Sequence, residues 1–456
     1  MQIPRIQAFA AIKLGKSMKP KNTIHDPQRE LFRVELANII DPKHPLVVLG
    51  EKIDWTVFEE KLGATYCPSN GAPGINTRLM VSLHYLKYHH NLSDEVVVQR
   101  WVENPYWQYF SGRQYFEHEL PIDPSSMTRW RKRLGEAGAE AMLKGTIDTG
   151  IAMGAVRPAQ VKHVNIDTTV QTKAIRYPTD ARLYQRACER LVVHARKAGL
   201  TIKQSYERVG RLLVMKASRY AHARQMRRSK AATRKLRTAL GRVIREVERQ
   251  PAAAALSRIL SVCKRIHAQK AHDTEKIYSV HEPEVMCIAK GKAGKKYEFG
   301  QKVSVAVTSK GGWIVGAKCM PNNPYDGHTL KDQIEQMGRV YNKVVSKQTV
   351  HVDMGYRGHG YEGDKTVIVD KRRRGETPRR IWKWMKRRAT VEPTIGHLKS
   401  EHRLDRNQLR GVVGDSINAI LSAAAMNFSK LLSFFLSLLL ALFELILPRR
   451  IQACPT

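Results

Sequence analysis

Residues 161–175, VKHVNIDTTVQTKAI, decide the fold, because a helical pattern in the chain gives way there to a strand pattern. Side chains alternate with a period of two along residues 161–168, and β-branched residues are frequent, which predicts a β-strand. Asp167 lies inside this run. Burying a carboxylate in a strand is unfavourable unless it is paired or binds a metal ion, so Asp167 is a candidate functional residue.

The residues before this strand, from about residue 30 to residue 150, have apolar side chains at helical spacing. Asp123 and Pro124 are typical of a helix start, and Gly135 or Gly138 can end that helix. The segment therefore predicts a set of packed helices.

Cationic side chains follow Pro124 on this helix. Two helices joined by a turn can form a helix-turn-helix, in which the second helix would contact DNA through Arg129, Trp130 and Arg133. Arg131, between them, has the same two interpretations as its neighbours. The pattern fits equally well the solvated face of a helical bundle, and both interpretations stay open.

The charge balance is strongly positive. The chain of 456 residues has 78 Lys+Arg and 41 Asp+Glu, a net charge of +37, which favours a polyanionic partner such as nucleic acid over an anionic membrane surface. Residues 182–270 are helical and hold 24 Lys and Arg against 4 Glu. This one-sided count favours a surface that follows DNA phosphates, with candidate contacts Arg227, Arg228, Lys230 and Arg234. Pro251 predicts a break between its helices.

Strand patterns return after residue 296. Residues 297–320 read as a hairpin with Gly311 and Gly312 at the turn, and two further short strands follow. One of these contains the second strand aspartate, Asp353. Glu392 follows after 38 intervening residues, beside several cations. For a single strand aspartate a hydrogen-bonded turn is the favoured interpretation, but two of them followed by Glu392 indicate a metal site for phosphoryl transfer.

These patterns divide the chain into segments. We expect an α/β protein with a mixed sheet flanked by helices, an N-terminal helical DNA-binding domain and a basic helical insertion. The predicted segments are a basic arm (1–25), the N-terminal domain (26–155), the catalytic core (156–181 and 271–415), the insertion (182–270), and a C-terminal apolar helix with its tail (416–456).

Four stretches resemble the DDE transposases of bacterial insertion sequences, of the insertion-sequence-5 family within the broad insertion-sequence-4 and -5 group. They are NIDTT, KYEFGQKVSVAV, NPYDGHTL and RATVEPTIGHLKSEHRL, and the resemblance spans about residues 30–430. It implies an RNase H-like core in which Asp167, Asp353 and Glu392 are the catalytic, metal-binding residues. It also implies two Mg²⁺ ions for each active site, with Mn²⁺ as a substitute.

The group carries a motif of Tyr, two residues, Arg, three residues, Glu, six residues and Lys. Arg388, Glu392 and Lys399 fit that spacing, and Met385 stands where the Tyr would be, so Trp384 or another residue takes the Tyr's role or that role is lost. On one helix these three charged residues would share a face, with the cations on DNA phosphates. Pro393 complicates this, because a helix starting there would leave the position of Arg388 open.

Four more residues are expected near the site. Asp326 is either an extra metal ligand or, as we favour, a cap of the helix that follows it. His328 contacts DNA or a metal-bound water, or makes a structural hydrogen bond, which is the favoured interpretation. Tyr356 and Arg357 are expected to contact the scissile strand. The run 371–374 is expected to be a solvated loop that also contacts DNA.

The remaining features concern the compartment. Six cysteines lie far apart without a C-x-x-C pair, which argues against a zinc ribbon or a disulfide framework and fits a reducing cytosol. The first 22 residues have no apolar core typical of a signal peptide. The apolar stretch 431–447 holds Glu444 and is short for a membrane span, so we expect a helix that closes the catalytic core, with its end in a dimer or loosely ordered. We expect the protein in the bacterial cytoplasm, associated with the nucleoid.

The predicted function is that of a DNA transposase. It would cut the ends of its element and join the 3′-hydroxyls to target DNA by in-line phosphoryl transfer, as a homodimer or higher multimer on double-stranded DNA with terminal inverted repeats. The alternatives are a catalytically inactive, transposase-derived regulator and a metal-dependent nuclease that does not join. A membrane-surface protein is a more distant alternative.

Overall fold

The computed structural model describes residues 34–63, 66, 74–289, 296–343, 348–370 and 378–446. The predicted basic arm, 1–25, and the run 371–374 lie outside these residues. The sheet contains β1 (His163–Thr172), β2 (Met286–Ala289), β3 (Tyr297–Thr308), β4 (Ile314–Met320), β5 (Thr349–Val352) and β6 (Thr366–Val369).

The helices fall into three groups along the chain. Before the sheet come α1 (Pro45–Lys52), α2 (Trp55–Gly63), α3 (Thr77–His89), α4 (Asp94–Glu103), α5 (Pro105–Phe110), α6 (Ser125–Ala152) and α7 (Pro158–Val161). Between β1 and β2 lie α8 (Asp180–Lys197), α9 (Glu207–His222), α10 (Met226–Glu248) and α11 (Ser257–Ala268). After β4 come α12 (Leu330–Val340), α13 (Arg379–Arg388), α14 (Val391–Ser400) and α15 (Gly411–Ile446).

The sheet is mixed. Its main path runs β2-β3-β1-β5-β6, and β4 also pairs with β3. β3 runs antiparallel to β1, β2 and β4, whereas β1, β5 and β6 are parallel. The helices α12, α13, α14 and α15 pack against its strands, so the expectation of a mixed sheet flanked by helices is confirmed.

The hairpin between β3 and β4 was predicted correctly. Gly311 and Gly312 form its turn with φ of 81° and 64°, which a residue with a side chain rarely adopts. β2 was not predicted, because its four residues depend on pairing with one end of β3 rather than on a strand pattern of their own.

Most buried apolar side chains belong to one cluster that joins the N-terminal helices to the sheet. It includes Leu83 and Trp101 from the helices, Val164 and Val305 from the sheet, and Phe428 from α15. The ring of Phe428 stacks on Tyr85 of α3 with centroids 5.2 Å apart. The N-terminal helices are therefore built onto the sheet through α15.

A second cluster of buried side chains forms the interior of the insertion. It extends from Ala181 to Val280 and is built around α8, α10 and α11, with Leu236, Leu240 and Ile266 fully buried. A short 3-10 helix, Pro251–Leu256, separates α10 from α11, at the break that Pro251 predicts.

The element α6, which starts after Pro124, consists of two helical segments joined by a kink. The carboxylate of Asp123 accepts a hydrogen bond from the Ser125 amide at 2.8 Å, as a start signal should. Gly135, with φ of 62° and ψ of −168°, leaves the helical conformation, so the first helical segment ends there as predicted, and a second segment continues α6 to Ala152.

The long helix α15 contains the one candidate membrane span in the described part of the chain. Residues Gly411–Phe435 are long and apolar enough to cross a membrane, but the most apolar window is 72% buried inside the protein. α15 packs against α3, α6 and β4. Up to residue 435 it is thus a core helix, whereas most of the stretch 431–447, for which that role was expected, has side chains outside the described ones.

Candidate active site

The register of the parallel strands places aspartates beside one another. Asn165 of β1 pairs with His351 of β5, so Asp167 and Asp353, each two residues further along, lie at the same edge. Val352 of β5 pairs with Val369 of β6, which places Asp370 beside Asp353 in the same way. Asp353 and Asp370 therefore lie just past the carboxyl ends of β5 and β6, and Asp167 lies at the same level within β1, which continues to Thr172.

Asp370 was missed by the sequence analysis. The signal was present, since Asp370 directly follows the apolar run of β6 as Asp353 follows that of β5. Its side chain is 7% exposed, and its amide donates to the Val352 carbonyl at 2.8 Å.

Asp353 starts a short 3-10 helix, Met354–Tyr356. Its Oδ1 accepts a hydrogen bond from the Gly355 amide at 3.0 Å, which fixes the carboxylate at the end of β5. A Cβ atom on residue 355 would lie 3.0 Å from Oδ1 of Asp353 and 3.4 Å from Oδ2 of Asp326. Glycine therefore leaves a space between two carboxylates that any side chain would fill.

Asp326 joins the site from the loop after β4. Its Oδ1 accepts hydrogen bonds from Nζ of Lys302 at 2.9 Å and from Oγ1 of Thr168 at 3.0 Å. The favoured interpretation of Asp326 as a helix cap was wrong, because neither the 3-10 helix at Asp326–Thr329 nor α12 has a side-chain cap there. Contacts with β1 and β3 hold this carboxylate beside Asp353 instead.

Arg388 spans the aspartate edge. Its Nη1 lies 3.7 Å from Oδ2 of Asp167, and its Nε lies 3.4 Å from Oδ2 of Asp370. Burial raises the pKa of Asp353, Arg388 lowers it, and the neighbouring carboxylates of Asp326 and Asp370 raise it further. The net upward shift is therefore mainly an effect of burial, to which the two carboxylates contribute less.

Tyr356 lies beneath the carboxylates and is fully buried. Burial raises the pKa of its hydroxyl well above the usual value, and the charges of Asp167, Asp326 and Asp353 add to that shift. The expected contact of Tyr356 with the scissile strand was wrong, because its side chain is inaccessible. Arg357, the next residue, is exposed.

Glu392 lies on a separate helix from Arg388. α13 ends at Arg388 and α14 begins at Val391, so Arg388 does not share a helix with Glu392 and Lys399, and the alternative of a helix that starts near Pro393 is confirmed. Pro393 fits in the first turn of α14, where a missing amide costs little. Glu392 is exposed in that turn, and Lys399 lies partly exposed in the last turn.

An aromatic stack fixes α13 on the sheet. Trp384 stacks on His163 of β1 with centroids 3.6 Å apart, and Nδ1 of His163 lies 3.1 Å from Nε2 of His351 on β5. Nδ2 of Asn165 donates to the Arg387 carbonyl at 3.2 Å. These contacts set where α13 ends and where α14, which packs against β1, begins. Met385, at the motif's Tyr position, is buried.

The other candidate DNA contacts differ in accessibility. Trp130 is 4% exposed and packs on the His84 ring, so the interpretation of Trp130 as a DNA contact was wrong. Arg129 is exposed and donates to Ser125 and Ser126, and Arg133 lies over the Tyr66 ring with its guanidinium carbon 5.1 Å from the centroid. His328 is exposed against the Tyr325 ring. On α10, the exposed candidates are Arg227, Arg228, Lys230 and Arg234.

The donor set fits hard divalent cations. Carboxylate oxygens from Asp167, Asp353 and Asp326 surround an edge where Gly355 leaves space, and such oxygens are the ligands that Mg²⁺ prefers. Among the residues that the structure describes, no three His, Cys, Asp or Glu side chains converge closely enough to hold a metal ion. The site is therefore an open carboxylate edge rather than a closed protein cage.

Comparisons with known proteins cover two parts of the chain. The family model described as "Transposase domain (DUF772)" matches residues 34–133, and that described as "Transposase DDE domain" matches residues 270–428. Asp326, Asp353 and Glu392 lie within the second match. Asp167 and the insertion lie between the two, but β1 is bonded to β3 and β5 of the second match.

A protein from Rhizobium meliloti is also similar. The "Uncharacterized protein ORF8 in nfe locus" is 52% identical over 198 residues, which are 43% of this chain and 95% of that protein. No solved structure matches the chain.

Proposed function

Because this chain belongs to the DDE transposases of insertion sequences, we propose that it cuts the DNA ends of its transposable element and joins the freed 3′-hydroxyls to target DNA. Within that group we assign it to the insertion-sequence-5 family. A DDE domain implies an RNase H-like core, and the mixed sheet with flanking helices fits one.

The observation that carries this proposal is the aspartate edge of β1, β5 and β6. We assign Asp167 and Asp353 as two of the three catalytic carboxylates, because the register brings them together at adjacent parallel strands. Glu392 is the third, since its helix α14 packs against β1, directly after the end of α13 that Trp384 and Asn165 hold on the sheet. Asp326 supports the edge from the side of β3.

Asp167, Asp353 and Glu392 would hold two Mg²⁺ ions, with Mn²⁺ as a substitute. When bound, the ions activate water or a 3′-hydroxyl as nucleophile and neutralise charge on the phosphate in an in-line displacement. An open edge suits this use, because Mg²⁺ in such sites keeps several waters and takes few protein carboxylates together with substrate phosphates.

Cations around the edge would position the DNA backbone. Arg388 already pairs with Asp167 and Asp370, and a phosphate oxygen would offer its guanidinium a further partner. We assign the same role, contact with DNA phosphates, to the exposed side chains of Arg357 and His328 and to Lys399 of α14. Such contacts set the position of the scissile phosphate without reading sequence.

The DNA would be double-stranded, comprising the terminal inverted repeats of the element and the target. The predicted N-terminal domain (26–155) and the insertion (182–270) would bind it outside the catalytic core. We propose a homodimer or higher multimer, since two ends must be held together for joining. Cytoplasmic localisation at the nucleoid follows from that substrate.

The test uses the purified protein with labelled duplexes that end in the repeats flanking its own element. Nicking and joining are followed with Mg²⁺ or Mn²⁺ for the wild type, for Glu392→Gln and for Glu401→Gln. The matched control, Glu401, is an exposed carboxylate just past the end of the same helix, hydrogen-bonded to His397 at 2.6 Å. We expect Glu392→Gln to bind DNA and lose about a thousandfold in cutting rate, since a metal ligand contributes several kcal/mol to the transition state.

The outcomes separate the alternatives. Equal cutting by Glu392→Gln and the wild type would show that the triad is wrongly assigned. Cutting without joined products would indicate a nuclease. Binding without any cutting by the wild type would support a catalytically inactive regulator.

A further inference from the structure

The insertion distributes its charges unevenly. Its four glutamates are engaged near its two ends: Glu189 and Glu207 pair with Arg211, Glu248 pairs with Lys264, and Glu246 accepts from the Lys203 amide. Residues 208–245, which include most of α9 and α10, have 13 Lys and Arg and no Asp or Glu. A solvated helix pair would normally mix both signs.

Some of these cationic side chains line a groove between α8, α9 and α10. Its volume is about 720 Å³, and it is lined by Arg182, Lys230, Arg234 and Arg237, with Asp180 at the start of α8. All four cations are exposed. Because Lys230, Arg234 and Arg237 are spaced i, i+4 and i+7, they share one face of α10.

A second groove adjoins the first and leads back to the sheet. Its volume is about 500 Å³, and Arg182 and Val214 line both grooves. The cations Arg176, Arg186 and Arg211 also line it, with Glu189. Residues 174–178, which form one of its walls, directly follow β1, the strand that carries Asp167.

We infer that the two grooves form one basic track, along which the phosphate backbone of double-stranded DNA runs from the catalytic strand over the insertion. This inference rests on the proposed function and adds the path of the DNA. The three cations on α10 span about 10 Å at 1.5 Å per residue. Phosphates advance about 3.4 Å along each strand, so this face matches about three of them.

The test is the salt dependence of binding to fluorescein-labelled duplex DNA of random sequence, in EDTA so that no cutting occurs. The track variant carries Arg182→Gln, Lys230→Gln and Arg234→Gln. Arg237 is left unchanged because its Nε donates to the His267 carbonyl at the end of α11. We expect the slope of log K against log salt to fall by about three, roughly one for each phosphate contact.

The matched control carries Arg196→Gln, Arg249→Gln and Arg258→Gln. These residues are equally exposed cations of the insertion, but they do not line either groove. The control should keep the wild-type slope, and circular dichroism should show that both triple variants are folded. Equal slopes for the two triple variants would overturn the track. Such a result would not affect the proposed function, because that is tested by DNA cutting and the track is tested by the salt slope of binding.

A second experiment tests whether the track binds an anionic lipid surface instead of DNA. Binding of the wild type and of the track variant to phosphatidylglycerol vesicles is measured in place of binding to DNA. If the track variant loses vesicle binding while its affinity for duplex DNA stays at the wild-type level, the surface binds lipid and the inference is wrong. Loss of DNA binding alone supports it.

Discussion

The interior around the sheet contains buried charged side chains, whereas the described interior of the insertion contains none. Around the sheet, charged side chains are buried in pairs and triads, such as Lys173 with Asp415 at 2.6 Å and with Glu282 at 3.2 Å. Among the described residues 182–270, no charged side chain is buried, and Gln185 is the buried polar one.

This difference reflects what each region must specify. Buried ion pairs are costly to desolvate and are compensated only in one geometry, so they favour one arrangement of the elements they join. Lys173, Asp415 and Glu282 join the end of β1 to α15 and to the chain returning from the insertion. The described interior of the insertion is apolar apart from Gln185, and its cations lie at the surface, where a partner can reach them.

The largest effect is expected at the ion pair that joins three N-terminal helices. Asp94 of α4 accepts from Lys87 of α3 at 2.6 Å and from Arg131 of α6 at 2.8 Å, and both cations are nearly inaccessible. Asp94→Asn leaves two buried cations without their counter-ion. We expect the free energy of unfolding, measured in urea, to fall by about 3–5 kcal/mol.

The control for Asp94 lies in the insertion. Glu207 pairs with Arg211 at 2.9 Å, and both side chains are more than half exposed. Glu207→Gln should therefore cost about 0–1 kcal/mol. Similar losses for the two variants would show that the two regions do not differ in the way described.

A cavity in the insertion tests whether its interior is an independent unit. Leu240 of α10 is fully buried in the second cluster, so Leu240→Ala should destabilise the insertion by about 2–5 kcal/mol. Native-state hydrogen exchange should quicken in α8 to α11 and stay unchanged in β1, β3 and β5. This outcome would support the predicted boundaries of the insertion.

Leu212→Ala serves as the comparison for Leu240→Ala, because Leu212 is 49% exposed on α9. Its exchange pattern should match that of the wild type. Faster exchange throughout the sheet in Leu240→Ala would mean that both interiors unfold as one cooperative unit.

The elements of the sheet were predictable because their signals are local. The alternation of side chains with a period of two identified β1, and two adjacent glycines identified the turn between β3 and β4. Short apolar runs identified β5 and β6. Pro251 identified the break between α10 and α11 for a similarly local reason, its missing amide.

The wrong predictions concern residues whose burial and partners depend on contacts with distant parts of the chain. Trp130 and Arg131 look like surface residues of a cationic helix, but one packs on His84 and the other pairs with Asp94. Asp326 was read as a cap because its partners, Thr168 and Lys302, are far away in sequence.

The candidate site was predictable in part. Asp167 and Asp353 were chosen as isolated strand carboxylates, and the register of β1 with β5 supplies a reason for their proximity. Asp370 has the same local signal, a carboxylate directly after an apolar strand, but its position beside Asp353 depends on the register of β5 with β6. Pro393 indicated the break between Arg388 and Glu392, but the positions of α13 and α14 on the sheet depend on tertiary contacts such as that of Trp384 with His163.

The smallest effect is the acid dependence of the Asp94 ion pair. Burial opposes ionisation of Asp94, but the bonds from Arg131 and Lys87 outweigh it, so its pKa lies well below the ordinary value of 3.8. Between these two pKa values the unfolded chain binds more protons than the folded one. The stabilisation by Asp94 is therefore complete above about pH 4 and is lost as the pH falls through the folded pKa, by on the order of 2 kcal/mol. The free energy of unfolding of the wild type, measured in urea from pH 6 downward, should show this decline. In Asp94→Asn the part of the decline that is due to protonation of Asp94 should be absent. Because the insertion buries no charge among its described residues, Glu207→Gln should follow the wild-type curve, and an equal change of slope in both variants would contradict the assignment to Asp94.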